Sequence, residues 1–296
     1  MISSKQMKDQ VCIVTGANAG IGNVTATELA KRGATVVMMC RNQAKAEVAR
    51  QAIIAQTGNS KVAIIVVDFS SQAQIRQAAA QFLANYSDLH VLVNNAGFLA
   101  GNERTETPDG LETTFAVNHL GYFLLTALLL PMMGQTAAQS GIAGRIVNVA
   151  SEAHRFGVKF DLANLQLSTG YSGIKAYCLS KLCNILFTRE LAKRLAVAKL
   201  NLTANSLHPG GVNSNFGVDA NGWFGWMFKL LKPFFISVEQ GAETSIYLAT
   251  SPEVAAVTGQ YFNKKKANSP SATASNDRFA AELWTASEKL TGAKYL

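Results

Sequence analysis

Cysteine and proline are scarce in this chain, at 4 and 6 of 296 residues. Cys12, Cys40, Cys178 and Cys183 form neither a CxxC pair nor a ladder of close spacings. That argues against a disulfide framework or a zinc site and predicts reduced thiols in an intracellular protein. Charged residues are also few, 16% against 48% hydrophobic, which excludes a disordered chain. Long apolar runs are missing. The longest, Leu120 to Met133, covers about 14 residues, short of the ~20 that span a bilayer. Met1 to Gln10 is polar, so no signal peptide is expected, and the expected location is cytoplasmic. Acidic residues number 19 against 27 basic ones, a net charge of +8. The basic residues are scattered apart from Lys264-Lys265-Lys266. This pattern suits a solvated surface and a phosphate-bearing ligand, with no nucleic-acid partner expected.

What is present is a rhythm. Val11–Thr15, Thr35–Met39, Val62–Val67, His90–Asn94, Arg145–Ala150 and Leu202–Leu207 are short, nearly continuous apolar runs, as strands covered on both faces would be. Helical patterns fill 21–32, 43–56, 71–86, 109–133 and 174–197. Alternation of this kind predicts a doubly wound α/β fold with a parallel sheet. No repeat or linker interrupts it, so 1–296 is read as one domain. Residues 264–276 are polar and read as a surface loop before a final short helix. Trp223 to Ile236 is dense in aromatics, with Lys229 and Lys232 its only charges. Three readings stay open for it: a core helix, a lid within a substrate-loop region at 212–236, or a weak membrane-surface contact.

Thr15-Gly16-Ala17-Asn18-Ala19-Gly20-Ile21-Gly22 follows the first strand and opens the first helix. Gly16 permits a tight exit, Gly20 a close backbone approach to a pyrophosphate, and Gly22 a close helix–sheet contact. The helix N-terminus then faces the phosphates. At this junction the pattern predicts a dinucleotide site. A carboxylate about 20 residues further on would bind the ribose hydroxyls of NAD, and an arginine there suits the 2′-phosphate of NADP. The second strand ends in Cys40-Arg41-Asn42, with no acid. Arg41 thus favours NADP, or is merely a solvated arginine. Asp68, after the third strand, reads equally as an adenine contact or a helix N-cap.

In Tyr177-Cys178-Leu179-Ser180-Lys181, Tyr177 and Lys181 stand one helical turn apart on one face. A nearby ammonium would favour the phenolate and lower a tyrosine pKa that is otherwise near 10, making Tyr177 a usable acid/base. Lys181 can also hold a ribose. Asn94-Asn95-Ala96-Gly97, Asn148-Val149-Ala150-Ser151 and His208-Pro209-Gly210-Gly211 all end strands, where ligands of open α/β sheets bind.

Together TGANAGIG, NNAG, Asn118, Ser151, YCLSK and HPGG resemble the short-chain dehydrogenase/reductase family, over essentially the whole chain. CRN, VNHLGYFLLT, NVASEAH and AYCLSKLCNILFTRELAKRL are similar to its retinol dehydrogenase-like branch. The resemblance implies one Rossmann-type domain with a seven-stranded parallel sheet flanked by helices. It implies an NADP(H)-dependent oxidoreductase that interconverts alcohol and carbonyl, with an apolar aldehyde, ketone or retinoid-like substrate, as a monomer or homo-oligomer. Ser151 would bond the substrate oxygen, Tyr177 would move the proton, Lys181 would assist it and Asn118 would anchor a relay water. The cofactor would be bordered by Gly16, Asn18, Gly20, Ile21, Gly22, Arg41, Asn42, Asp68, Phe69, Asn95, Ala96, Gly97, Tyr177, Lys181, Pro209, Gly210, Gly211 and Val212. The long Ser151–Tyr177 gap implies an extra loop at 155–173 beside the substrate. A cofactor-binding sensor without catalysis is the first rival. A serine hydrolase using Ser151 with His154 or His208 is the second, but no GxSxG elbow surrounds Ser151.

Overall fold

The strands bury both faces because their apolar residues point alternately to two different cores. Ile13, Val37, Leu92 and Ile146 face one cluster, and Cys12, Val14, Val36, Met38, Val93 and Val147 face the other. The computed structural model describes residues 6–157, 159–212 and 236–295. Its strands are β1 (Val11–Thr15), β2 (Thr35–Cys40), β3 (Val62–Val66), β4 (Val91–Asn94), β5 (Gly144–Val149), β6 (Leu202–His208), β7 (Tyr261–Asn263) and β8 (Lys266–Asn268). The helices are α1 (Gly20–Lys31), α2 (Gln43–Thr57), α3 (Gln72–Asn85), α4 (Thr113–Ser140), α5 (Gly173–Val197), α6 (Val238–Thr250) and α7 (Asp277–Thr291). Strand order is β3-β2-β1-β4-β5-β6-β7-β8. The first seven strands are parallel, and the order reverses between β1 and β4, the switch point where such sheets bind ligands.

The expected seven-stranded parallel sheet is therefore extended by one antiparallel strand, β8. Part of the expected 264–276 loop forms it. Lys264 and Lys265 adopt φ of 50° and 62° and close a two-residue hairpin, although lysine lacks the usual turn signature. The Thr244 hydroxyl accepts from the Lys265 amide and Lys265 pairs with Glu243, which holds the turn. Helix α6 was not expected from the sequence. It starts at a Ser237–Gln240 capping box just past the aromatic segment.

The helix expected at 109–133 runs instead from Thr113 to Ser140, capped by the buried Glu112 carboxylate on the Thr114 and Phe115 amides. It is long and apolar enough to cross a membrane, which its unbroken apolar run alone did not suggest. Its most apolar window is nevertheless 72% buried, so it reads as a core helix. A π turn at Ala116–Leu120, closed by the Gly121 amide on the Ala116 carbonyl, carries Asn118. Of the region 212–236, only the ends are described. Val212 and Ile236 form a parallel bridge, and the Ile236 amide donates to Gly211 O at 2.9 Å. The three readings of 223–235 fall outside the described residues.

Candidate active site

The phosphate end is built by backbone conformation. Gly16 and Gly20 sit at φ of 66° and 57°, where a side chain would be strained. A Cβ on Gly22 would strike the Asn95 amide and the Gly16 carbonyl. Helix α1 has no side-chain cap and no acid in its first turn. Among the described residues, each of the other six α-helices is capped by a side chain: Asn42, Ser71, Glu112, Ser172, Ser237 and Asn276. An uncapped N-terminus behind a glycine cradle leaves amides and a positive dipole end for phosphate, so the residues present fit a pyrophosphate.

Several expected cofactor contacts turn out to spend their polar atoms on the scaffold. Thr15 Oγ1 accepts from the Asn95 and Ala96 amides at 2.8 Å each, and Asn95 Nδ2 donates to Thr15 O at 2.8 Å. These bonds fasten β4 to the glycine loop. Asn42 caps α2 through the Lys45 amide, which leaves exposed Arg41 as the group available at the end of β2. Asp68 is not the N-cap of α3; Ser71 is. One Asp68 oxygen accepts from Ser70, and its amide donates to Gln74. Phe69 is buried against Gly121. Ile21 and Val212 pack toward Gly241 on α6. Asn18 lies in the loop itself. Pro209 precedes Gly210, whose φ of 99° admits Ile236 where a Cβ would clash.

At the reactive end the expected groups meet. The Ser151 hydroxyl hydrogen-bonds the Tyr177 phenol. Ser151 Oγ also accepts from the Ala153 amide at 3.1 Å. Lys181 Nζ, 5.6 Å from the Tyr177 ring centroid, donates to Val149 O at 2.9 Å. Asn118 Oδ1 accepts from the Phe98 amide and its Nδ2 donates to Phe98 O, at 3.0 and 2.9 Å. Gly97 lies beside it because a Cβ there would come within 3.1 Å of Asn118 Oδ1.

Charge in this cluster is governed by burial. Desolvation pushes the Lys181 ammonium down to about 7. Desolvation also raises the Tyr177 phenol, and the Ser151 hydrogen bond opposes it. The sequence led us to expect a depressed Tyr177; in the protein alone burial wins, and the proton stays on the phenol.

The histidines are not partners for a serine nucleophile. His154 Nδ1 bonds the Ser151 backbone carbonyl at 2.6 Å, and Nε2 accepts from the Ser271 amide at 3.1 Å. His208 Nδ1 accepts from the Glu152 amide. Both imidazoles therefore serve the backbone. The described residues of 155–173 are tied to their surroundings at several points. Arg104 bonds Gln166 O, Gln166 accepts from the Glu112 amide, and Phe160 stacks on Phe279. Beside them lies a cleft of about 370 Å³ lined by Arg155, Phe156, Gly157, Ile174, Lys175 and Cys178. Ile174 and Cys178 flank Tyr177 on α5.

Sequence reasoning missed Asn184, which bonds Asn118 O and Val149 O. A signal existed. Tyr177, Lys181, Asn184 and Thr188 form a polar stripe at helical spacing on a helix buried over most of its length.

The short chain dehydrogenase family model matches residues 10–223. The chain is 42% identical over 291 residues to retinol dehydrogenase 12 of Mus musculus, spanning 98% of this chain and 89% of that one. It is 42% identical over 290 residues to human retinol dehydrogenase 11, with 98% and 88% covered. A crystal structure of an uncharacterised protein from Mycobacterium paratuberculosis superposes with a TM-score of 0.79 at 31% identity, covering 99% and 97% of the two chains. Motifs, sheet order and these likenesses converge: the chain is a member of the short-chain dehydrogenase family, similar over nearly its whole length to the retinol dehydrogenases.

Proposed function

We propose that this protein is an NADP(H)-dependent oxidoreductase that interconverts apolar carbonyls and their alcohols, with Tyr177 as acid/base. The observation that carries the reading is Tyr177 hydrogen-bonded to Ser151 and one turn from Lys181, at the sheet edge where the glycine cradle lies. When bound, the nicotinamide supplies hydride to the carbonyl carbon, or accepts it from the alcohol carbon. In reduction, Tyr177 gives its phenolic proton to the carbonyl oxygen as the carbon gains hydride, leaving alcohol and phenolate. In oxidation, the phenolate takes the hydroxyl proton as hydride leaves. Ser151 turns its proton to the substrate oxygen, where negative charge develops in reduction. The Lys181 ammonium faces the phenolate between these states. The likeness to retinol dehydrogenases supports a hydrophobic substrate, as do Phe156 and Ile174 in the cleft that Arg155 and Lys175 also line.

Preference for NADP rests on Arg41 and on a β2 end without a carboxylate. A carbonyl panel assayed with NADPH and NADH in parallel tests it, and an equal or better rate with NADH would overturn it. Arg41→Ala should raise the KM for NADPH about tenfold and leave that for NADH nearly unchanged, the scale of one exposed charge-assisted hydrogen bond. We place the protein in the cytoplasm. The supporting observation is that all four cysteines are free thiols. Cell fractionation should recover it in the soluble fraction, and recovery with membranes would reverse the assignment.

A further inference from the structure

We propose that Asn184 is a positioning residue that ties the π turn carrying Asn118 to the carbonyl that holds Lys181. Its Nδ2 donates to Asn118 O at 2.9 Å and to Val149 O at 3.3 Å. Val149 O is also the acceptor for Lys181 Nζ, at 2.9 Å. One side-chain amide thus braces both the backbone of the relay asparagine and the anchor of the lysine. The need is local. A π turn displaces carbonyls from the α-helical ladder, and a displaced carbonyl in a buried site requires a donor from elsewhere.

The direction of the network follows from its acceptors. Asn118 O and Val149 O can only accept, so Nδ2 faces them and Oδ1 faces His119 Nδ1 at 3.4 Å. His119 then donates from Nδ1 and accepts at Nε2 from the Ser287 hydroxyl, 2.9 Å away on α7. Asn118, His119, Asn184 and Ser287 are all 0% exposed. Helix α7, through Ser287 and His119, sets the orientation of Asn184. Burial pushes His119 down to about 3, so it stays neutral across the working range. The titratable groups facing Lys181 are Tyr177 on its own helix and Tyr122 on α4. Cys178 acts on Tyr177, which in turn acts on Tyr122 and on Tyr261 of β7.

This inference rests on the Tyr177/Lys181 reading above, and its test separates the two. In the full chain with NADP⁺ bound, phenolate absorbance of Tyr177 is titrated as the difference from Tyr177→Phe. Asn184→Leu should move that midpoint up by about 0.5 pH unit, a threefold loss of phenolate at a given pH, because Lys181 is held less firmly. Turnover in the oxidation direction should fall about tenfold, with the Kd for NADP⁺ within about threefold. An unchanged midpoint would overturn the proposal. So would loss of NADP⁺ binding in parallel with turnover, since Asn184 would then be only structural. If Asn184→Leu does not fold, Asn184→Asp keeps the volume, removes the amide donors and is read by the same criteria. Turnover retained in Tyr177→Phe would instead sink the parent reading, whereas failure of the Asn184 inference leaves that variant inactive.

Discussion

Tyr177→Phe is expected to lower turnover about 10³-fold while the Kd for NADPH moves less than about threefold. The phenyl ring fills the same place on α5, and the glycine cradle, Arg41 and Lys181 are untouched. What disappears is the phenolic hydroxyl that Ser151 hydrogen-bonds, one turn from Lys181. The pH dependence has a definite sign. Burial raises the Tyr177 phenol, so at neutral pH the acid form needed for carbonyl reduction is already present. The oxidation rate, which needs the phenolate, should climb with pH, and reduction should fade as pH rises through the same ionisation. Retained turnover in the variant, or an oxidation rate flat with pH, would remove Tyr177 from its role.

Lys181→Met should combine an equally deep loss of turnover with a gain in stability. Lys181 is 3% exposed, and burial takes its ammonium from the usual 10.5 down to about 7. Between those values the unfolded chain binds more protons than the native one, so native stability rises with pH there. Below about 7 the full penalty is present; above 10.5 lysine is neutral in both states and the penalty is gone. Methionine removes the penalty and keeps most of the volume. The Nζ–Val149 O bond is lost, but Asn184 still donates to that carbonyl. A net gain of about 2 kcal/mol near pH 6, some degrees in Tm, should shrink toward pH 10. Thermal unfolding across that range checks it. An unchanged or lower Tm at pH 6 would mean that the buried ammonium is better solvated than its surroundings suggest. On the expected outcome, Lys181 is kept for chemistry at a cost to the fold.

Much of the architecture can be read locally. β1 matches its expected bounds, and α1, α2, α3 and α5 lie within a residue or so of theirs, because each is a short apolar run or a long periodic segment, with its own cap in α2, α3 and α5. The parts that were misread depend on distant partners. The Lys264–Lys265 turn is held by Thr244 and Glu243 on α6. Asp68 looked equally like a cap or a ligand contact because only the placement of Ser71 and Gln74 assigns the cap elsewhere. Asn95 and Ala96 carry a family motif, yet the structure gives their amides to Thr15. A motif names residues without saying which partner each atom takes.

The sequence by itself determined the doubly wound fold, the glycine cradle and the Tyr177–Lys181 pair, since periodicity, positive-φ glycines and one-turn spacing all act over a few residues. Tertiary structure decided where the protons rest and what holds the lysine. Desolvation exists only once α4, α5 and the sheet close over the site, and it keeps the proton on Tyr177 and weakens that on Lys181. The bond from His119 to Ser287 joins residues 168 positions apart, and no local pattern encodes such a contact.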